Sequence, residues 1–107
     1  MKISIITVTY NSEKYVKHCM QSVKEQTHND IQHVVIDNNS TDSTLKIVDK
    51  FKIDDSIIIS ENDDGIYDAM NKGIEHSSGD IIGFLNSDDF YADQKVLQVV
   101  NEIFTDN

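Results

Sequence analysis

Val34-Val35-Ile36-Asp37-Asn38-Asn39-Ser40-Thr41-Asp42-Ser43-Thr44 is the stretch on which the fold turns. Three branched aliphatic residues in a row favour an extended strand buried on both faces. The run stops at Asp37, and Asn-Asn-Ser-Thr-Asp is turn chemistry. Ser40 is expected to cap the next helix, with Asp42 favourable at its positive end. Thr44, Ile47, Val48 and Phe51 recur at helical spacing and give that helix one apolar face. Ile57-Ile58-Ile59 follows as another strand, so residues 34–59 read as strand, crossover helix, strand.

The unit repeats in both directions. Upstream, Ile3 to Val8 reads as a strand, Ser12 is placed to cap a helix, and Val16, Cys19, Met20 and Val23 are spaced i, i+3, i+4, i+7. Downstream, Glu61 to Gly65 is an acidic loop in which glycine permits a tight turn into a helix. Ile66, Met70, Gly73 and Ile74 predict that helix's apolar face, and Gly79 its C-terminal cap. Ile81 to Leu85 is the fourth strand, and Val96, Val99, Val100, Ile103 and Phe104 form the last helical face. Alternating strands and helices with nearly continuous apolar strands predict an α/β fold, a parallel sheet with helices on both faces. Right-handed crossovers restrict the topology, and the order 3-2-1-4 of a Rossmann-like half sheet is expected. Its ligand crevice opens beyond the C-terminal strand ends, between strands 1 and 4.

A length of 107 residues gives one domain, which buries roughly two-thirds of its unfolded surface. Nine Lys and Arg against nineteen Asp and Glu exclude nucleic acid as a partner, which needs a basic face. An acidic chain binds phosphate when a metal ion lies between the two charges. Cys19 is the single cysteine and falls on a predicted apolar stripe, so it reads as core and fits a reducing compartment. No apolar run is long enough for a transmembrane helix, and the opening Met1-Lys2-Ile3-Ser4-Ile5-Ile6 lacks the pattern of a signal peptide.

Three strands deliver polar groups to the expected crevice: Thr9-Tyr10-Asn11, Asp37, and Asn86-Ser87-Asp88-Asp89. The Asp88-Asp89 pair suits a hard divalent cation such as Mn²⁺ or Mg²⁺, which prefers carboxylate and phosphate oxygens. Such an ion offsets charge on a leaving nucleoside diphosphate. The competing role for Ser87, Asp88 or Asp93 is to cap the last helix. Asp37 either accepts bonds from a base or ribose, or folds the turn with Asn38 and Asn39. Tyr10 either stacks on a base or covers the first helix. Asn71 and Lys72 either reach toward phosphates or sit on a solvated face. His18, His28, His33 and His76 have no mutual ligand spacing and read as surface or loop residues.

These residues resemble the N-terminal part of the family 2 glycosyltransferases, of the GT-A fold. Ile3 to Asn11 is similar to the family's opening strand. Val34 to Thr44 resembles its second-strand signature, with Asn39 where glycine is common. Gly65 to Gly73 and Gly79 to Asp89 resemble the segment leading to its Asp-x-Asp-type motif, with Asn86 where aspartate is frequent. The likeness spans essentially the whole chain. It implies that Asp37 binds the base beside Thr9, Tyr10 and Asn11, that Asp88 approaches ribose or metal, and that Asp89 is the metal ligand. It also implies inverting transfer from a nucleoside-diphosphate sugar, with a lean to uridine, onto an acceptor glycan or lipid-linked sugar. The setting it suggests is surface polysaccharide assembly, cytoplasmic and peripheral at the inner membrane face.

The family's general base lies past Asn107, as does its acceptor-binding part. The chain is therefore expected to bind donor and to have little transferase activity alone. A non-catalytic nucleotide-binding module is the competing class, self-associating as a homodimer through apolar surface that a second part would cover. Dinucleotide-dependent redox enzymes are excluded because Tyr10-Asn11-Ser12-Glu13-Lys14 holds no glycine. Phospho-acceptor signalling domains need carboxylates where this chain has Tyr10-Asn11 and Ser60-Glu61, of which only Glu61 is acidic.

Overall fold

The computed structural model describes residues 1–105. Four strands, β1 (Ile3–Thr9), β2 (Ile31–Asp37), β3 (Ser56–Ser60) and β4 (Ile81–Phe84), alternate with α1 (Val16–Lys24), α2 (Thr44–Phe51), α3 (Ile66–His76) and α4 (Val96–Thr105). All strand pairs are parallel and the order is β3-β2-β1-β4, as expected. No described helix is long and apolar enough to cross a membrane.

The two sheet faces follow from strand alternation. Ile3, Ile5, Ile31 and Val35 point to the side covered by Cys19, Val16, Met20 and Val23 of α1, Val48 of α2 and Leu97 of α4. Ile6, Val34 and Ile36 point the other way, onto Ala69 of α3. β2 is buried along its whole length, including Gln32 and His33. His33 is therefore a core residue, against the surface position expected of it. Its Nε2 lies 2.8 Å from the Thr7 hydroxyl, and Nδ1 has no partner. Burial lowers its pKa from 6.5 to about 4.

Two helical stripes differ from expectation. On α3, Ala69 and Gly73 are buried, whereas Ile66 and Ile74 are exposed. The small residues bring the helix axis close to the sheet, and a Cβ on Gly73 would overlap Ile6. On α4, Leu97 is the buried residue, while Val99, Ile103 and Phe104 remain exposed. The buried amide of Gln26 explains that setting: its Oε1 accepts from Leu97 N at 3.0 Å and its Nε2 donates to the Asp93 carbonyl at 2.7 Å.

The three expected caps are displaced. α1 starts only at Val16, and the Ser12 carbonyl, not its hydroxyl, accepts from Val16 N. At α2 the cap residue is Ser43, and Asp42 Oδ1 accepts from Thr44 N at 2.9 Å. α3 ends at His76 with Ser77 as its C-cap, while Gly79 N donates to Ser4 Oγ and a side chain there would strike the β1 backbone. Gly65, at φ 113°, does provide the turn into α3.

Candidate functional site

The polar ends of β1 and β4 meet where the strand order reverses. A cleft of about 450 Å³ opens there, lined by Val8, Tyr10, Asn11, Ser12, Tyr15, Ile66 and the stretch Asn86, Ser87, Asp88. Tyr10 follows the last residue of β1 and is 59% exposed, so its ring is free to meet a ligand. Asn11 adopts φ 46°, a conformation asparagine tolerates. Its side chain accepts from Thr41 N at 2.9 Å, and its own N–H donates to Ser40 Oγ. The loops after β1 and β2 are thereby tied together. Asn39, at φ 52°, takes the left-handed position for which glycine is the usual residue.

Asp37 reaches the same sheet edge but faces inward. It is fully buried. Oδ1 accepts from Thr9 Oγ1 and Ser40 Oγ, both at 2.6 Å, and Oδ2 from Ser40 N and Ser60 Oγ, both at 2.8 Å. Four donors fill the acceptor capacity of a carboxylate. Thr9, also buried, is committed to the same network. In this arrangement Asp37 and Thr9 hold the β1, β2 and β3 ends in register, and the cleft-facing groups are those of Tyr10 and Asn11.

Asp88 and Asp89 are both exposed just past β4. Neither caps α4, because Asp93 Oδ1 accepts from Lys95 N at the start of that helix. Asp89 N donates to the Asn86 carbonyl, and Asn86 Nδ2 donates to Asp89 Oδ2 at 3.3 Å, a tight turn that presents both carboxylates. Among the described residues no three of His, Cys, Asp and Glu gather in a set for a metal. Two adjacent carboxylates fit Mg²⁺ or Mn²⁺ nonetheless, since these ions commonly take one or two protein carboxylates and complete their shell with phosphate and water. Buried Cys19 senses the pair: desolvation above all, with added repulsion from Asp89 and Asp88, raises its pKa to about 11 against the opposing Thr7 bond. It is a packed thiol, as expected.

Lys72 does not line the cleft. Its ammonium lies 3.1 Å from Glu61 and 3.4 Å from Asp68, and donates to the Asn62 carbonyl. The Glu61 bond, reinforced by Asp68 against partial desolvation, holds its pKa above the usual lysine value. Among the lining residues with no ligand role in the sequence analysis are two serines. Ser12 Oγ lies 3.2 Å from Tyr10 N, which donates to it, and 3.0 Å from Ser87 Oγ. Ser87 sits inside the Asn-Ser-Asp-Asp stretch, but nothing in the spacing of Ser12 signals its partner.

Similarity to known proteins follows the same lines. The model for Glycosyl transferase family 2 matches residues 4–107. An uncharacterized glycosyltransferase of Nostoc sp. is 34% identical over 107 residues, 97% of this chain and 33% of its own. TuaG of Bacillus subtilis, named for teichuronic acid biosynthesis, is 34% identical over 97 residues, 88% of this chain and 38% of its own. The crystal structure of S. aureus TarS 1-349 in complex with UDP-GlcNAc superposes with a TM-score of 0.92 at 30% identity, covering 99% of this chain and 32% of that one. This chain thus spans between 32% and 38% of the length of these three relatives. Matched to its family model from Ser4 onward and to the backbone of TarS almost throughout, the chain belongs to glycosyl transferase family 2.

Proposed function

We propose that this chain is the donor-binding part of an inverting glycosyltransferase and binds a nucleoside-diphosphate sugar, a UDP-sugar by preference, in the cleft between Tyr10-Asn11 and Asn86-Asp89. The observation that carries the reading is the meeting of an exposed aromatic ring and an exposed carboxylate, Tyr10 and Asp88, across one opening at the sheet's switch point. Tyr10 stacks on the base and Asn11 borders it. Asp88 and Asp89 are the residues that would hold Mn²⁺ or Mg²⁺. When bound, the ion supplies Lewis-acid stabilisation of the leaving diphosphate. Asp37 and Thr9 act one layer below, fixing the loops that carry Tyr10 and Asn11. Lys72 contributes to phosphate binding only if it leaves Glu61 and Asp68. UDP-GlcNAc in the TarS complex and the naming of TuaG support a UDP-sugar donor and a cell-surface glycan acceptor.

Calorimetry with UDP, GDP and dTDP, each with and without Mn²⁺, tests this. Base-selective, metal-dependent binding that Asp89→Ala abolishes is the expected result; binding indifferent to EDTA removes the metal. Donor turnover with a panel of acceptors is expected to yield no product from the 107 residues alone. A second reading, a self-associating nucleotide-binding module, draws on Ile82 and Phe84 exposed on β4 and Ile103 and Phe104 exposed on α4. Sedimentation as a clean monomer excludes the self-association.

A further inference from the structure

Thr44 falls on the buried face of α2, yet it carries a hydroxyl, and a buried hydroxyl has to be paired. Its Oγ1 donates to Asp42 Oδ1 at 2.5 Å and accepts from Ser12 N at 2.7 Å. The chemistry of the groups fixes these directions. Partial desolvation works to raise the pKa of Asp42, but bonds from the Thr44 hydroxyl and from the Thr44 and Glu13 N–H groups hold it below the usual carboxylate value. An ionised carboxylate only accepts, and an amide N–H only donates. The Thr44 proton therefore goes to Asp42, and the polarised hydroxyl oxygen receives Ser12 N. Asp42 Oδ2 also accepts from Glu13 N at 3.3 Å, and Glu13 Oε2 in turn from Ser43 N at 3.0 Å. The start of α2 and the loop after β1 thus hold each other reciprocally.

Ser12 continues the path. Its N–H is held by Thr44, and its Oγ lies 3.0 Å from Ser87 Oγ in the turn that presents Asp88 and Asp89. One line of bonds therefore runs from Asp42 through Thr44 and Ser12 to Ser87, from the N-terminus of α2 past the end of β1 to the loop after β4. On this line only Ser12 and Ser87 border the cleft. Capping of α2 accounts for the Thr44 N bond to Asp42 at 2.9 Å, but not for the hydroxyl that goes on to Ser12. We propose that Thr44 and Asp42 are positioning residues for Asp88 and Asp89, acting through Ser12 and Ser87. The proposal rests on the donor reading only in what those carboxylates are positioned for, a divalent cation.

Amide NMR of the whole chain compares Thr44→Val, which keeps the shape and removes the hydroxyl, with Thr44→Ser, which keeps the hydroxyl. In Thr44→Val the Ser12 N–H is expected to exchange faster and the Ser87, Asp88 and Asp89 resonances to shift; in Thr44→Ser all stay near wild type. The Mn²⁺ concentration for half-maximal UDP binding is expected to rise about fivefold in Thr44→Val, the loss of one hydrogen bond, and to return in Thr44→Ser. UDP binding without metal should be unchanged. Asp42→Ala takes the acceptor from the Thr44 hydroxyl at a half-exposed position; it is expected to give the same pattern and carries the test if Thr44→Val does not fold. Variants that lose thermal stability yet keep wild-type Ser87, Asp88 and Asp89 resonances and Mn²⁺ requirement overturn the proposal, leaving Thr44 and Asp42 as caps of α2. Equal shifts in Thr44→Val and Thr44→Ser overturn it too. Wild-type chain that binds no UDP sinks the donor reading instead, and the resonances alone then decide the positioning.

Discussion

Ser12 Oγ and Ser87 Oγ lie 3.0 Å apart, so one hydroxyl pair joins the loop after β1 to the loop after β4 across the switch point. Both residues line the cleft. The contact therefore sets the distance between Tyr10 on one wall and Asp88 on the other. Ser12→Ala and Ser87→Ala are each expected to weaken UDP·Mn²⁺ binding by about 1 kcal/mol. The double variant should be no worse than Ser12→Ala, which already removes the shared contact together with the bond from Tyr10 N. Strict additivity in a calorimetric cycle would show that the two hydroxyls act independently.

Asp37→Asn tests the buried network. The substitution keeps the shape but turns one acceptor into a donor facing the Thr9, Ser40 and Ser60 groups. Loss of charge-assisted bonds is expected to cost about 2 kcal/mol, a fall in Tm of roughly 10 °C for a domain of this size. Nucleotide affinity, measured well below the transition, should fall less than in Asp89→Ala. An unchanged Tm would contradict the positioning role.

His33 predicts an acid sensitivity with a defined window. Its folded pKa of about 4 lies below the ordinary 6.5. Below pH 6.5 the unfolded chain takes up a proton that the folded chain refuses until about pH 4. Stability is thus unaffected by this group above pH 6.5 and declines as pH falls toward 4, by roughly 3 kcal/mol at most. Urea denaturation from pH 7 to 5, above the main carboxylate range, should show the decline. His33→Gln, which still offers Thr7 a partner, should flatten it; parallel slopes in the two proteins would assign the decline to other groups.

Gly73→Ala should destabilise although it raises helix propensity. The new methyl would fall inside the contact distance of Ile6 Cγ2, a branched position with no freedom to swing away. Overpacking of this kind costs about 1–3 kcal/mol. Pairing it with Ile6→Ala should recover part of the loss in chemical denaturation, whereas no recovery would place the strain elsewhere.

The sequence by itself determined the architecture: nearly continuous apolar strand runs, helices of one-sided apolarity, and therefore a parallel 3-2-1-4 sheet with its polar residues collected at one edge. Those are local and periodic properties, legible one element at a time. Burial on both faces holds for β2 but not for β4, whose Ile82 and Phe84 stay exposed. Tertiary structure alone decided which polar groups face the cleft. Asp37 is turned inward because the Thr9, Ser40 and Ser60 donors come from three separate segments. His33 is buried because β2 is an interior strand covered on both sides. The α3 stripe keeps Gly73, as expected, but runs through Ala69 instead of Ile66 and Ile74 because close approach to Ile6 outweighs side-chain size. Ser12 finds Ser87 at a separation of 75 residues, a pairing that only the reversal of strand order between β1 and β4 creates.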